Sequence, residues 1–292
     1  MNRSPEVLTA PHIEHYDRDG VVVLRDAFDP YWLELAARGI EYNLTHWGRR
    51  GFYYDAQTSA PGFFQDSCSW QRIAEYREYV FESPAAEIAA RLMSASRVNL
   101  FFENIMVKGP HKQAPTPWHH DVPYWPVEGN QVCSVWMPLD PNNEHNRLRF
   151  IKGSHRWGKK YVPTDFGHVR EAGVPYDMPR EDFELMPDFE AQGAGIDCLN
   201  WNLQPGDALV FHGYILHSAP GNPLPYRRRA MITRWCGDDC LYAGDKHDQL
   251  GPPFPDCPIS PGEPMTCELF PLVWPRPGAK WRGCARSAAA QS

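Results

Sequence analysis

Apolar positions recur at helical spacing in the first third of the chain and at strand spacing through its middle. The β-branched run Gly20–Leu24 predicts a short strand. Asp29-Pro30 follows it, a capping residue ahead of a proline whose fixed φ suits a first helical turn. From there Leu33, Leu35, Ala36, Ala37, Ile40 and Leu44 recur with roughly helical spacing. A second helix is predicted over Ala85–Ser94, started by Ser83-Pro84, with Ile88, Ala89, Leu92 and Met93 on one face. The aromatic-rich stretch Trp47–Phe81 between the two follows neither period and reads as ordered covering structure.

Beyond residue 97 the chain turns β-like. Strands are predicted over Val98–Val107, Pro117–Tyr124, Val132–Leu139, Leu148–Ile151, Ala208–Phe211 and Ala230–Trp235. Turn signals separate them, such as Lys108-Gly109-Pro110 and Gln204-Pro205-Gly206-Asp207. Short strands punctuated in this way imply a sandwich or barrel. The stretch 156–200 breaks the rhythm and reads as an insertion, and the proline-rich part from Gly251, with Trp274 and Trp281, as a tail wrapped on the surface. Without a repeat or a linker, the expectation is a single domain over 1–292, with a helical covering region over about 25–97 and a β core over about 98–236.

Composition narrows the classes. Of 292 residues 42% are apolar and 22% charged, enough for a packed core. The net charge of −7 disfavours nucleic acid as a partner and leaves the one basic run, Arg227-Arg228-Arg229, to be explained locally. No apolar run reaches the roughly 18 residues of a membrane span, and the first residues lack the apolar stretch of a secretory signal. Eight cysteines form no Cys-x-x-Cys pair and read as thiols of a cytoplasmic protein.

The chemistry concentrates in Trp118-His119-His120-Asp121. On a strand His119 and Asp121 share a face while His120 points away. His-x-Asp is two thirds of a two-histidine, one-carboxylate triad, the arrangement that leaves positions open on a non-haem Fe(II). A third ligand must come from farther along the chain, and the segment after Gln204 offers His212 and His217. Eleven residues beyond His217 stands Arg228. An arginine near such an iron suits a dicarboxylic cosubstrate that chelates the metal at its 2-oxo acid end and needs a planar cationic fork at the other.

The ordered set TPWHHD, WMPLD, FIKGSH, PGD, FHGYILH and RRA, between residues 115 and 230, resembles the phytanoyl-CoA dioxygenase family, which includes ectoine hydroxylases. The likeness begins near Asp17 and runs to Trp235, leaving the chain ends and the 156–200 stretch without clear counterparts. It implies a mainly β fold with added helices, built on a double-stranded β-helix (a jelly-roll, cupin-like core). It also implies an Fe(II)- and 2-oxoglutarate-dependent dioxygenase, using O2 to hydroxylate a small-molecule substrate with release of succinate and CO2. Carried over, His119, Asp121 and His217 are the metal ligands and catalytic centre, and Arg228 holds the distal carboxylate of 2-oxoglutarate. Trp136 matches a family tryptophan beside the cosubstrate, and Thr116 and Lys108 occupy positions that often face the same pocket. The family's usual Gln is His120 here, its IPGSH turn is IKGSH, and its common Gly after the distal histidine is Ser218. Related halogenases replace the carboxylate ligand with a small residue, so Asp121 favours oxidation without halide.

Blander readings stand beside these. His212 supports the strand, His155 belongs to a turn, and Arg227 and Arg229 are paired or solvated on the other face. Cys236 and Cys240 are simple buried thiols. Phe63, Phe64, Trp118, Tyr124 and Trp125 are core as readily as pocket. Two rival functions remain: a catalytically silent sensor that keeps metal and 2-oxoglutarate, and a cupin-like metalloenzyme without the 2-oxo acid, which would have no need of Arg228.

Overall fold

A computed structural model describes residues 8–56, 62–112, 115–166, 172–177, 182–191, 195–244, 251–252 and 254–276. Its first part holds α1 (Ala10–Asp19), β1 (Val21–Leu24), α2 (Pro30–Asn43), β2 (Phe52–Tyr53), β3 (Phe63–Ser67), α3 (Ala74–Glu82) and α4 (Ala85–Leu92). The middle contributes β4 (Val98–Lys108), β5 (Thr116–His119), β6 (Val127–Glu128), β7 (Val132–Pro138), β8 (Arg149–Ile151) and β9 (Cys198–Leu199). The last part adds β10 (Ala208–His212), β11 (His217–Ala219), β12 (Arg228–Cys236), β13 (Leu241–Tyr242) and β14 (Leu272–Trp274).

The strands form a mostly β, antiparallel fold with a jelly-roll core. The larger sheet runs β1-β10-β7-β12-β4-β3-β2, with β14 also paired to β4. The smaller runs β5-β11-β8-β9, and β13-β6 stands apart. Side-chain parity separates two apolar layers on the large sheet. Val210, Val135, Met231 and Ile105 pack on the outer side with α2, α3 and α4, through Leu35, Ile40, Tyr79, Ile88 and Leu92. Residues of opposite parity, Leu209, Phe211, Trp136, Ala230 and Ile232, meet Phe150 and Ala219 of the small sheet. Helices thus seal one face of the large sheet, and the other encloses the space where the site lies.

The predicted elements form for the expected local reasons. The Asp29 side chain accepts hydrogen bonds from the amides of Tyr31 and Trp32, capping α2. Gly20 ends α1 at φ 81°, a left-handed conformation that suits glycine, and sends the chain straight into β1. Three expectations need correction. The strand expected over Pro117–Tyr124 stops at His119 and gives way to a 3-10 turn over Val122–Tyr124, because Pro123 cannot donate to a ladder. The Trp47–Phe81 stretch contains most of α3 as well as β2 and β3. The segment from Gly251 is more than surface wrapping: β14 extends the large sheet, and Phe254, Met265 and Phe270 are buried. Trp281 and Cys284 lie outside the described residues.

Candidate active site

His119 ends β5 and His217 opens β11, and the two are direct cross-strand partners. Their rings come within 4.1 Å between centroids. Asp121 is supplied by the turn after β5, not by a continuing strand. That turn is fixed by the Val122 amide donating to Gly213 O. A Cβ at Gly213 would lie 2.7 Å from Val122 and 2.8 Å from Val132, so glycine is required for this approach. Ser134 on β7 donates its hydroxyl to Asp121 Oδ2 at 3.2 Å. Asp121 Oδ1 then stands 3.6 Å from His119 Nε2 and 3.9 Å from His217 Nε2. The three groups are buried, and a ligand atom from each lies within 4.8 Å of the others.

The donor set fits a divalent metal. His119 Nδ1 lies 2.8 Å from Pro117 O and His217 Nδ1 lies 3.1 Å from Ile215 O. A carbonyl only accepts, so both Nδ1 atoms carry a proton, which leaves Nε2 as the coordinating atom of each neutral ring. Burial, reinforced by His119, lowers His217 to about 3, so its imidazole is neutral. Burial alone would raise Asp121, but Arg234 and the two histidines outweigh it and hold the carboxyl well below its ordinary value. Neutral imidazoles beside an ionised carboxylate are the protonation states that coordination needs.

Two cavities meet at this triad. The inner one, about 80 Å³, is lined by Thr116, Trp136, Ser218 and Arg228 among others. Arg228 is only 6% exposed and donates from Nη1 to Asn146 O at 2.6 Å. Burial lowers it to about 10, with no carboxylate among the described residues pulling the other way. A buried guanidinium compensated only by a carbonyl is a site prepared for an anion. Lys108 is wholly buried one layer behind: its ammonium donates to Thr116 Oγ1 at 3.3 Å and sits 4.3 Å from the Phe63 ring centroid. The outer cavity, about 350 Å³, reaches the triad past Tyr124, Phe166 and Arg234.

His120 faces away, as alternation predicts, and accepts the Tyr161 amide at 2.9 Å. It thereby ties down the start of the 156–200 connection, whose Thr164, Phe166 and Tyr176 reach the outer cavity. His212 stays off the triad and accepts the Tyr214 amide through Nδ1. Arg227 and Arg229 pair with Glu41 and Asp140. Of the aromatic candidates, Tyr124 and Trp125 line the outer cavity, Phe63 and Phe64 are core, and Trp118 donates to Glu190 outside it. Arg234 was not singled out from the sequence. Counting by twos from Arg228 along one strand would have found it.

The profile of the phytanoyl-CoA dioxygenase family matches residues 16–230, most of the chain. The chain belongs to this family. Among solved structures, the non-heme alpha ketoglutarate dependent carbocyclase SnoK from nogalamycin biosynthesis matches this family member with a TM-score of 0.72 at 22% identity, over 94% of this chain and 99% of that one. The epimerase SnoN, solved with Fe3+, alpha ketoglutarate and nogalamycin RO, matches at 0.69 and 19% identity, over 90% and 97% of the two chains. EctD from S. alaskensis, solved with 2-oxoglutarate and 5-hydroxyectoine, matches at 0.61 and 19% identity, over 81% and 79%. At these identities the likeness establishes the fold. A search of curated protein sequences gives no significant match. No helix among the described residues is long and apolar enough to cross a membrane.

Proposed function

We propose that this protein is an Fe(II)- and 2-oxoglutarate-dependent dioxygenase that hydroxylates an unactivated C–H bond of a small organic molecule, releasing succinate and CO2. The observation that carries the reading is a buried metal-ligating triad opening onto a cavity that holds Arg228, a buried cation without a carboxylate partner among the described residues. When bound, iron would activate O2, the oxidant, with the 2-oxo acid giving up two electrons as it becomes succinate and CO2, chemistry that no side chain can supply. His119, Asp121 and His217 hold the metal on one side and leave the other open to ligands. Arg228 takes the distal carboxylate, Thr116 and Trp136 form the walls around it, and Lys108 fixes Thr116 from behind. Phe166, 4.6 Å from the His119 ring between centroids, and Tyr124 shield the centre from bulk water.

The presence of Asp121 favours oxygen over halide transfer. Two of the similar structures are a carbocyclase and an epimerase, so product analysis must separate hydroxylation from ring closure and inversion. The cofactor reading is tested by anaerobic titration with Fe(II) and then 2-oxoglutarate, following the visible charge-transfer absorption of the chelate. The band is expected in the wild type and is weakened in Arg228→Ala. Iron binding without any band would instead support a metal-only cupin.

A further inference from the structure

The fork of Arg234 is held beside the metal site, in ion-pair reach of Asp121 but without a hydrogen bond to it. Parity on β12 sends Arg228, Ala230, Ile232 and Arg234 to the inner face. Arg228 ends in the inner cavity, while Arg234, six residues on, borders the inner and outer cavities alike. Phe102 and Trp125 hold the guanidinium carbon at 4.7 and 5.1 Å from their ring centroids, and Nη1 donates to Asn104 Oδ1. Nε is buried, makes no hydrogen bond among the described residues, and lies 3.9 Å from Asp121 Oδ2, within ion-pair reach but beyond hydrogen-bonding distance. Burying a guanidinium costs stability, and Phe102 and Trp125 could fill the space around an apolar residue at less expense.

Charge arithmetic shows what the residue lacks. A divalent ion, one carboxylate ligand, two neutral imidazoles, a doubly anionic 2-oxo diacid and Arg228 sum to zero. Lys108 donates to Thr116 from one layer behind and lines neither cavity, so it stays outside this sum. The Arg234 charge is therefore uncompensated in the loaded site, and it faces the outer cavity. That cavity has the volume of a small-molecule pocket and is walled by the rings of Phe52, Tyr54, Phe102, Tyr124, Trp125 and Phe166. Asp121 is the only carboxylate among its described lining residues, and metal coordination would occupy it; of the other cations lining it, Arg49 pairs with Asp256 at 3.8 Å and Arg50 lies over the Phe254 ring.

We infer that Arg234 anchors an acidic group of the substrate, and that the substrate is a flat aromatic or conjugated carboxylic acid. A carboxylate matches the planar fork in two hydrogen bonds, and rings stack on the aromatic walls. The inference rests on the proposed cosubstrate site, and its test keeps the two apart.

The probes are 2-naphthoate and its neutral isostere 2-naphthamide, titrated calorimetrically into the anaerobic protein loaded with Fe(II) and 2-oxoglutarate. The acid is expected to bind at least tenfold more tightly than the amide. In Arg234→Gln that preference disappears while the 2-oxoglutarate charge-transfer band is retained, and Arg234→Lys recovers part of it. Equal binding of acid and amide to the wild type overturns the inference, as does a preference that survives in Arg234→Gln, or failure of both probes to bind. Loss of the band in Arg234→Gln also overturns it, because Arg234 would then belong to the cosubstrate site. Absence of the band in the wild type marks failure of the cofactor reading, and the acid-over-amide comparison is then made on the protein carrying Fe(II) alone.

Discussion

Replacing Arg228 with methionine should move stability and cosubstrate affinity in opposite directions. The guanidinium is buried, and desolvation alone pushes its pKa from its ordinary value down to about 10, a cost of roughly 3 kcal/mol to the empty protein at neutral pH. Methionine keeps most of the apolar volume and removes that cost. The variant gives up the bond to Asn146 O, worth about 1 kcal/mol. The empty variant is therefore expected to gain about 2 kcal/mol, a rise of a few degrees in Tm. Binding of 2-oxoglutarate loses a charge-assisted pair worth roughly 1.5–3 kcal/mol, or about ten- to a hundredfold in Kd. Thermal melts with and without 2-oxoglutarate, alongside the anaerobic absorption titration, read both quantities. A variant that is less stable when empty and binds 2-oxoglutarate normally would refute the reasoning and make Arg228 a structural residue.

Alanine at His119 or His217 is expected to abolish iron-dependent turnover and lower retained iron, measured by metal analysis after desalting; full activity in either variant would end the triad assignment. Asp121→Gly is expected to lose hydroxylation, followed by succinate release, and retention would show that Asp121 is not a ligand. Burial raises Glu103 to about 8 against the pull of the Ser69 amide, from an ordinary value of 4.5. Between those values the unfolded chain ionises while the folded carboxyl keeps its proton, so stability falls as pH rises, by roughly 3–5 kcal/mol across the window. Glu103→Gln should flatten that slope in denaturant melts at pH 5 to 8 (about the same window), and an unchanged slope would mean that Glu103 is ionised in the fold. Asp29→Ala should cost about 1 kcal/mol through loss of the α2 cap, read as a lower urea midpoint without loss of iron binding.

Much of this architecture was legible where one residue's chemistry decides a local conformation. Asp29-Pro30 started α2 where expected, and the period-two runs placed β4, β7, β10 and β12 within a few residues. The helix α3 was missed because its cap position is Ile73, which offers no capping side chain, and only Tyr76, Tyr79 and Val80 are buried in it. Strand β11 has three residues, too few to show a period, yet it carries His217. Alternation put His119 and Asp121 on one side of the chain, and they do converge, but through a turn held by Gly213 instead of a continuous strand. That hold is a contact across some ninety residues of sequence, which no local pattern encodes. The same is true of Tyr54 and Phe166, brought to the outer cavity by segments that are adjacent only in three dimensions.

The parity of β12 makes the length of this strand matter more than its composition. Arg228 and Arg234 face the cavities, while Met231 and Trp235 are packed beneath the helices. Deleting one residue between them would leave Arg228 in place and carry Arg234 to the opposite side, into the apolar layer, with Trp235 turned toward the metal. A single substitution there changes one contact, whereas a single deletion inverts every side chain downstream of it. Gain or loss of residues would be better accommodated in the 156–200 connection, whose Thr164, Phe166 and Tyr176 line the outer cavity, so that a longer or shorter loop there would reshape that cavity without disturbing the strand beneath it.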